Sequence, residues 1–223
     1  MLVSVSKLDG IMKKENQKIK KRNDLELKII NYLNQKFQST GFRNFSVEEV
    51  SSNLHISKKT IYKIFGSKEG LIRAALIVQL SVALSEVVKI IQEKSNIIEK
   101  FVDLSNMVEQ YFSVFNDASL KRLSYNLPQL AEYIEQFRIH RVIPLINMLF
   151  QIGKKKKMIL DIPQEIILKI FTSTLATITE SKPEKDSSYS YHQIFRYAFY
   201  ILLNGILTKK GKQLLNYKFE VIQ

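Results

Sequence analysis

The sequence predicts an all-helical protein. It contains only 7 glycines and 4 prolines among 223 residues, and no Asn-Gly or Asp-Gly pair is flanked by the alternating strands of a β-hairpin. Apolar residues instead recur at intervals of three and four along most of the chain, as on one face of an α-helix. About 45% of the residues are apolar, which is enough for a hydrophobic core. We expect about nine helices.

The chain begins with a basic segment, and the first helix follows it. Residues 1–23 are rich in lysine and lack an apolar period, so we expect a basic flexible arm. Asp24 can cap a helix that runs from Leu25 to about Ser39, and Gly41 can end this helix in the left-handed conformation. The inward-facing residues of this helix are Ile29, Ile30, Leu33 and Phe37.

Two short helices come next, joined by a tight turn at residues 53–56. The sequence SVEE, from Ser46 to Glu49, is the pattern of a capping box, in which each of the two side chains accepts from the other residue's backbone N–H. Ser57 opens the second short helix, and Gly66 ends it. Two such helices with a tight turn between them are typical of a helix-turn-helix.

A long apolar helix capped by Ser67 leads into the rest of the chain. We assign residues 24–73 to an N-terminal three-helix domain and residues 74–223 to a C-terminal helical domain. The last main helix is expected to end near Gly211. The further helices are expected at about residues 96–116, 118–126, 128–152, 163–181 and 190–208.

The positive charge of the chain is concentrated near its N-terminus. The net charge is +13, and residues 1–73 hold 15 Lys or Arg against 7 Asp or Glu, a net charge of +8. The remaining residues carry only +5 over twice the length. This distribution suits nucleic acid or an anionic membrane surface, and it also fits a generic solubilising surface.

The second helix of the helix-turn-helix has a polar face crowded with hydrogen-bond donors. Its outward residues are Lys58, Lys59, Thr60, Tyr62 and Lys63. Reading the major groove requires such side chains on a helix. Helix N-termini at Ser46, Ser57 and Ser67 offer backbone N–H groups to phosphates. An ordinary helical hairpin with a solvated charged face would show the same pattern.

The stretch GFRNFSVEEVSSNLHISKKTIYKIFGSKEGLIRAAL resembles the DNA-binding domain of TetR/AcrR-type bacterial transcriptional regulators. The resemblance covers about residues 24–76. It rests on an ordered set of features: Gly41 after the first helix, Ser57, then Thr60-Ile61-Tyr62, Phe65, and Ser67-Lys68-Glu69 followed by Leu71. The family usually has glycine at the turn position that His55 occupies here. Histidine tolerates a left-handed backbone better than most residues, so we expect the turn to be kept.

The resemblance implies roles for individual residues in DNA binding. Lys59 and Thr60 would face base edges, and Lys58 would lie near bases or phosphates. Phe42 and Arg43 would lie near the DNA backbone. The residues that would hold phosphates are Ser46, Ser57, Tyr62, Lys63 and Lys68. The lysines of the N-terminal arm could follow the minor groove or simply be solvated.

The resemblance also implies that the protein is a homodimeric repressor, released from a near-palindromic operator by a small-molecule effector. Dimer contacts are expected from the helices at about 163–181 and 190–208. Aromatic residues that could line an effector pocket are Phe101, Tyr111, Phe115, Tyr125, Tyr133 and Phe137. The alternative is a basic helical protein that binds membrane surfaces or acidic proteins without reading DNA sequence.

Several other functions are not expected from this sequence. Without cysteine, and with His140 and His192 far apart, no metal site is expected. No phosphate-binding glycine loop or nucleophile–base set is present, so we expect neither an enzyme nor a cofactor. The N-terminus lacks the layout of a signal peptide, and no apolar run approaches the ~18–20 residues that span a bilayer. We therefore expect a cytoplasmic protein without a membrane partner.

Overall fold

The computed structural model describes residues 22–40, 45–115, 125, 127–180 and 189–216. These residues form ten α-helices, and the all-α prediction is confirmed; within them the chain forms no β-strand, only an isolated bridge between Ile159 and Leu207. The helices are α1 Asp24–Thr40, α2 Val47–Leu54, α3 Lys58–Phe65, α4 Lys68–Gln92, α5 Ile97–Phe115, α6 Pro128–Phe137, α7 Ile143–Lys155, α8 Gln164–Glu180, α9 Tyr191–Ile206 and α10 Lys209–Asn216.

Helices α6 and α7 are parts of one continuous rod. A π-helical turn at Arg138–Val142 joins them without a break, so the single helix predicted for residues 128–152 is present. The helix predicted for residues 118–126 lies outside the described residues except for Tyr125. The predicted basic arm lies outside them up to residue 21.

The first core is built by α1, α2, α3 and the first turns of α4. Its buried residues include all four predicted inward residues of α1, together with Val50 and Ile61, which are at most 1% exposed. Phe45, just before α2, packs edge-on against Phe37 with ring centroids 6.1 Å apart. Burial of these side chains fixes the angles between the three short helices, because the apolar stripe of each must face the same centre.

Side-chain caps define where the short helices begin. Ser46, Ser57 and Ser67 each accept a hydrogen bond from the backbone N–H three residues ahead, at 3.1, 3.1 and 3.0 Å. The capping box predicted at Ser46 is only half formed, because the Glu49 carboxylate forms an ion pair with Lys36 of α1 instead of reaching back. At α1 the cap is Asn23 rather than Asp24, since Asn23 Oδ1 accepts from the N–H of Glu26 at 2.8 Å.

Helix α4 belongs to both halves of the molecule. Its first turns contribute Leu71 and Ala75 to the N-terminal core, and its second half contributes Leu84 and Val88 to the C-terminal core. Between them, Leu76 and Leu80 pack against Leu130 and Ile134 of α6. One continuous helix therefore links the helix-turn-helix to everything that follows.

The end of α4 is held by a lysine of the next helix. Lys100 is 8% exposed, and its ammonium donates to the carbonyls of Ile90, Ile91 and Glu93 at 2.8, 2.9 and 2.5 Å. These carbonyls have no partner further along the helix, so the cation satisfies them and complements the negative end of the helix dipole. Burial lowers the pKa of Lys100 below its ordinary value of 10.5.

Helix α4 is also long and apolar enough to cross a membrane, judged by length and composition. The prediction that no apolar run approaches this length is therefore wrong. However, 56% of its most apolar window is buried inside the protein, as in the core helix of a globular protein. Its apolar length is explained by the two cores that it serves.

The C-terminal core is closed by a short helix that the sequence did not predict. Helix α9 covers Tyr191–Ile206, in agreement with the helix predicted at about residues 190–208. Leu207 is then extended and pairs with Ile159, so Gly211 does not mark the end of this helix. The hydroxyl of Thr208 then accepts from the N–H of Gly211 at 3.3 Å and opens α10. A Cβ on Gly211 would lie 2.4 Å from the carbonyl oxygen of Met158, so this glycine permits close packing rather than ending a helix.

Candidate nucleic-acid interface and effector cavity

The turn between α2 and α3 adopts the conformation that a helix-turn-helix needs. His55 is left-handed, with φ 54° and ψ 41°, and the N–H of Ile56 donates to the carbonyl of Ser51 at 3.1 Å. The expectation that histidine keeps this turn is confirmed. The chain then reverses directly into Ser57, which caps α3.

Helix α3 divides into a buried side and an exposed, donor-rich side. Ile61 is buried, whereas Lys58, Lys59, Tyr62 and Lys63 are exposed. Thr60 is half-buried, and its hydroxyl lies 2.8 Å from that of Ser57. The three lysines and the tyrosine therefore form one face of α3, and the threonine hydroxyl is oriented by the cap of its own helix.

Lys58 is paired within the protein, which the sequence did not indicate. Its Nζ donates to Glu48 Oε1 of α2 at 2.9 Å, although 53% and 64% of the two side chains are exposed. The hydrogen bond lowers the pKa of the Glu48 carboxyl below its ordinary value of 4.5 and raises the pKa of Lys58 above 10.5. Ten residues separate the two in sequence, so only the angle between α2 and α3 brings them together.

Lys68 is placed beside the same surface by an aromatic ring. Its ammonium lies 5.2 Å from the centroid of the Phe45 ring, within the range of a cation–π interaction. Phe45 directly precedes the cap of α2, so Lys68 lies near the N-terminal end of that helix. Phe42 and Arg43, the two other predicted contacts, lie outside the described residues.

The C-terminal part contains a partly open cavity of about 350 Å³ between α5, α7, α8 and α9. Its walls include two pairs of aromatic rings, Phe101 with Phe150 and Phe171 with Phe199, whose centroids are 5.0 and 5.6 Å apart. Among the described residues that line it, Ser105 has the only polar side chain, and its hydroxyl donates to a backbone carbonyl at 2.9 Å. The cavity is therefore suited to an apolar molecule.

The predicted pocket aromatics are distributed over different parts of the molecule. Phe101 lines the cavity. Tyr133 and Phe137 instead pack at the junction of α4 and α6, and Tyr125 is 89% exposed. The side chains of Tyr111 and Phe115 lie outside what the structure describes. The cavity residues that sequence analysis did not name are mostly aliphatic. Aliphatic residues at helical spacing occur equally in a filled core, so the sequence gives no sign that these line a cavity.

Helices α8 and α9 pack against each other and expose apolar residues on their outer sides. On α8 these are Ile166 and Ile170, one turn apart, and on α9 they are Ile194, Tyr197 and Ile201. Ile170 and Ile201 also line the cavity. This surface, the α8/α9 face, is therefore both unusually apolar for solvent and adjacent to the cavity.

Comparison with known proteins identifies the N-terminal domain. Residues 34–75 match the family model described as bacterial regulatory proteins, tetR family. Residues 34–75 form a TetR-family DNA-binding domain. The match spans the end of α1, α2, the turn, α3 and the start of α4. The exposed lysines of the α3 face lie within it. A search of curated proteins found no match to the chain.

Solved structures share the fold over most of the chain. A transcriptional regulator from Cytophaga hutchinsonii is 19% identical with a TM-score of 0.59, over 84% of this chain and all of that one. The fatty acid degradation regulator FadR from Bacillus halodurans is 19% identical with a TM-score of 0.57, over 80% and 97%. The ketosteroid transcriptional regulator KstR2 of Mycobacterium tuberculosis is 16% identical with a TM-score of 0.56, over 84% and 97%.

These findings establish the broad function of the chain. Residues 34–75 match the DNA-binding domain of TetR-family regulators, and this match supports a DNA-binding transcriptional regulator. The match selects DNA binding over the alternative of a basic protein that binds membranes or acidic partners. TetR-family regulators bind DNA operators, dimerise and have small-molecule effectors.

Proposed function

We propose that the protein is a homodimeric repressor that binds a near-palindromic operator and is released from it by a small apolar effector. The observation that carries this proposal is the connection made by α4. This helix joins a donor-rich face on α3 to a domain that contains an apolar cavity. Residues 24–73 would be the DNA-binding domain and residues 74–223 the effector-binding and dimerisation domain, acting in the cytoplasm.

DNA recognition would be divided between base edges and phosphates. Lys59 and Thr60 are proposed to face bases, with Lys58 beside them. The proposed phosphate contacts are Ser46, Ser57, Tyr62, Lys63 and Lys68, and Phe42 and Arg43 are proposed to lie near the DNA backbone. The hydroxyls of Ser46 and Ser57 each accept from one backbone N–H group in the first turn of their helix. The other N–H groups at the N-termini of α2 and α3 are the ones proposed to bind a phosphate.

The α8/α9 face is the proposed dimer contact. Exposed isoleucines one or two turns apart on adjacent helices present a continuous apolar surface, and a two-fold axis would pair this surface with itself. Two identical reading heads would then contact two half-sites, which is why the operator is expected to be near-palindromic.

The effector is proposed to be a small molecule with a large apolar part. No charged side chain lines the cavity among the described residues, so a charged group inside it would lack a partner. Two of the similar structures are named for ketosteroids and for fatty acid degradation, both of which involve largely apolar molecules. Release would require the effector to favour the DNA-incompetent state by about 1–3 kcal/mol.

The decisive experiment is selection of bound fragments from genomic DNA by the full chain. An enriched, near-palindromic sequence is expected, and its neighbouring genes would indicate the effector class. Recovery of fragments without a common sequence would refute specific recognition. Candidate molecules suggested by those genes would then test the cavity, because a molecule that binds the folded protein raises its unfolding temperature.

Two variants separate the proposed roles on the enriched duplex. Lys68→Ala is expected to weaken binding to all sequences alike and to reduce the salt slope by about one unit. Thr60→Ala is expected to change the selected sequence instead. An unchanged slope removes Lys68 from the phosphate contacts, and an unchanged sequence preference removes Thr60 from base reading.

A further inference from the structure

A carboxylate lies among the cations of the α3 face. Glu48 is in the first turn of α2, and it accepts a hydrogen bond from Lys58 while both side chains remain more than half exposed. Lys68 acts on the same carboxyl through its charge, although more weakly than Lys58 does. The surface proposed to meet DNA therefore contains one acid that contacts one lysine and is near another.

The stability of the fold does not explain why a glutamate occupies position 48. An exposed ion pair contributes little to the free energy of unfolding, because water screens both charges. An acid in a first helical turn can complement the helix dipole, but the first turn of α2 already contains Glu49, which also pairs with Lys36. On a surface that approaches phosphates, a further carboxylate opposes binding.

We propose that Glu48 is a specificity-determining residue, which holds Lys58 toward base edges and lowers the affinity for DNA that lacks the matching base. It is a positioning residue, because it acts through Lys58. Since this role requires α3 to read bases, it rests on the proposed function.

The physical reason lies in the freedom of a lysine side chain. Its ammonium has three donors on a flexible four-carbon stem, and an unrestrained lysine on this surface can swing to the nearest phosphate at any sequence. When one N–H of the Lys58 ammonium donates to Glu48, two N–H groups remain for acceptors such as guanine O6 and N7. Where no such acceptor is present, Lys58 stays bonded to Glu48 and makes no phosphate contact in place of the missing base contact.

The test uses the variant Glu48→Gln in the full-length protein. Fluorescence anisotropy would be measured over a salt series with a duplex of random sequence and with the duplex most enriched in a selection. Affinity for the random duplex is expected to rise roughly fivefold near 0.15 M salt, and the salt slope to steepen by about one unit, because Lys58 then releases one more counterion. The affinity ratio between enriched and random duplexes is expected to fall.

Two further variants show whether Glu48 acts through Lys58. In a Lys58→Gln background, adding Glu48→Gln should change neither the slope nor the ratio. Glu132→Gln, an exposed carboxylate on α6, makes the same change in net charge and should leave both unchanged. Circular dichroism should show the same helix content in all variants, since both glutamates are exposed.

The possible results are distinguishable from one another. An unchanged slope and ratio in Glu48→Gln would overturn the inference, and so would an undiminished effect in the Lys58→Gln background. If the unmodified protein prefers no sequence over the random duplex, the proposed function fails instead.

Discussion

The N-terminal and C-terminal cores use the same kinds of apolar side chains but are closed to different degrees. Around the helix-turn-helix, Ile61 and Val50 are almost fully buried, and each short helix has a serine cap. The C-terminal part leaves a cavity of about 350 Å³ and exposes isoleucines on α8 and α9. In the proposed function, the surface that reads bases must keep its geometry, whereas the domain that binds the effector and the second subunit needs an open cavity and an exposed apolar face.

The largest effect is expected at the α8/α9 face. Ile201 is 66% exposed, and Ile201→Glu would bury two charges in a two-fold interface, at a cost of several kcal/mol. The dimer dissociation constant is expected to rise about a thousandfold or more, measured by analytical ultracentrifugation. Leu25→Glu, on α1, should leave the dimer intact. A dimer unaffected by Ile201→Glu would place the interface elsewhere.

The next comparison makes the same truncation in the two cores. Ile61→Ala empties a closed core and is expected to cost about 2–5 kcal/mol of the free energy of unfolding. Ile146→Ala should cost about half as much, because Ile146 lines the cavity and already lacks neighbours on one side. Urea unfolding measures both. Equal losses would mean that the cavity wall is packed as tightly as the N-terminal core.

A somewhat smaller effect is expected at the end of α4. Lys100→Met keeps the apolar stem but leaves three carbonyls without their donor, which should cost about 1–3 kcal/mol of unfolding free energy. Between its lowered pKa and 10.5, Lys100 binds fewer protons in the folded protein than in the unfolded chain. Its contribution to stability therefore rises as the pH rises through this window.

The pH dependence provides the check on Lys100. The difference in unfolding free energy between the unmodified protein and Lys100→Met, measured by urea unfolding at several alkaline pH values, should grow as the pH rises through that window. A constant difference would show that burial does not perturb this lysine.

The smallest effect is expected at Gly205 in α9. No atom lies within 4 Å of a Cβ added there, so Gly205→Ala should stabilise the helix by about 0.5–1 kcal/mol. Thermal unfolding at low protein concentration measures this change. A loss of stability that appears only at high concentration would reveal a partner chain packed closely against this glycine.

Features that depend on neighbours in sequence were predictable. The serine caps of α2, α3 and α4 were identified correctly because each bond spans only three residues. Helical spacing likewise placed Lys58, Lys59 and Lys63 on one exposed helix face, as the structure has them.

Features that depend on neighbours in space were not predictable. Glu49 fits a capping box, but Lys36 on another helix takes its carboxylate. Gly211 was predicted to end a helix, but it lies inside α10. There the missing side chain allows α10 to approach the carbonyl oxygen of Met158 closely. Helical spacing predicted both Tyr133 and Phe101 to face inward. It could not show that one packs against α4 and the other borders empty space.

The length of α4 has a mechanical consequence. Its 25 residues, at a rise of about 1.5 Å each, form a lever arm of about 37 Å. A tilt of only about 5° at the end that Lys100 holds would move the other end by about 3 Å. In the proposed dimer, opposite tilts would change the separation of the two heads by about 6 Å, against half-sites about 34–36 Å apart. In the proposed function, a small displacement beside the cavity would therefore be enough to take both heads out of register with the DNA.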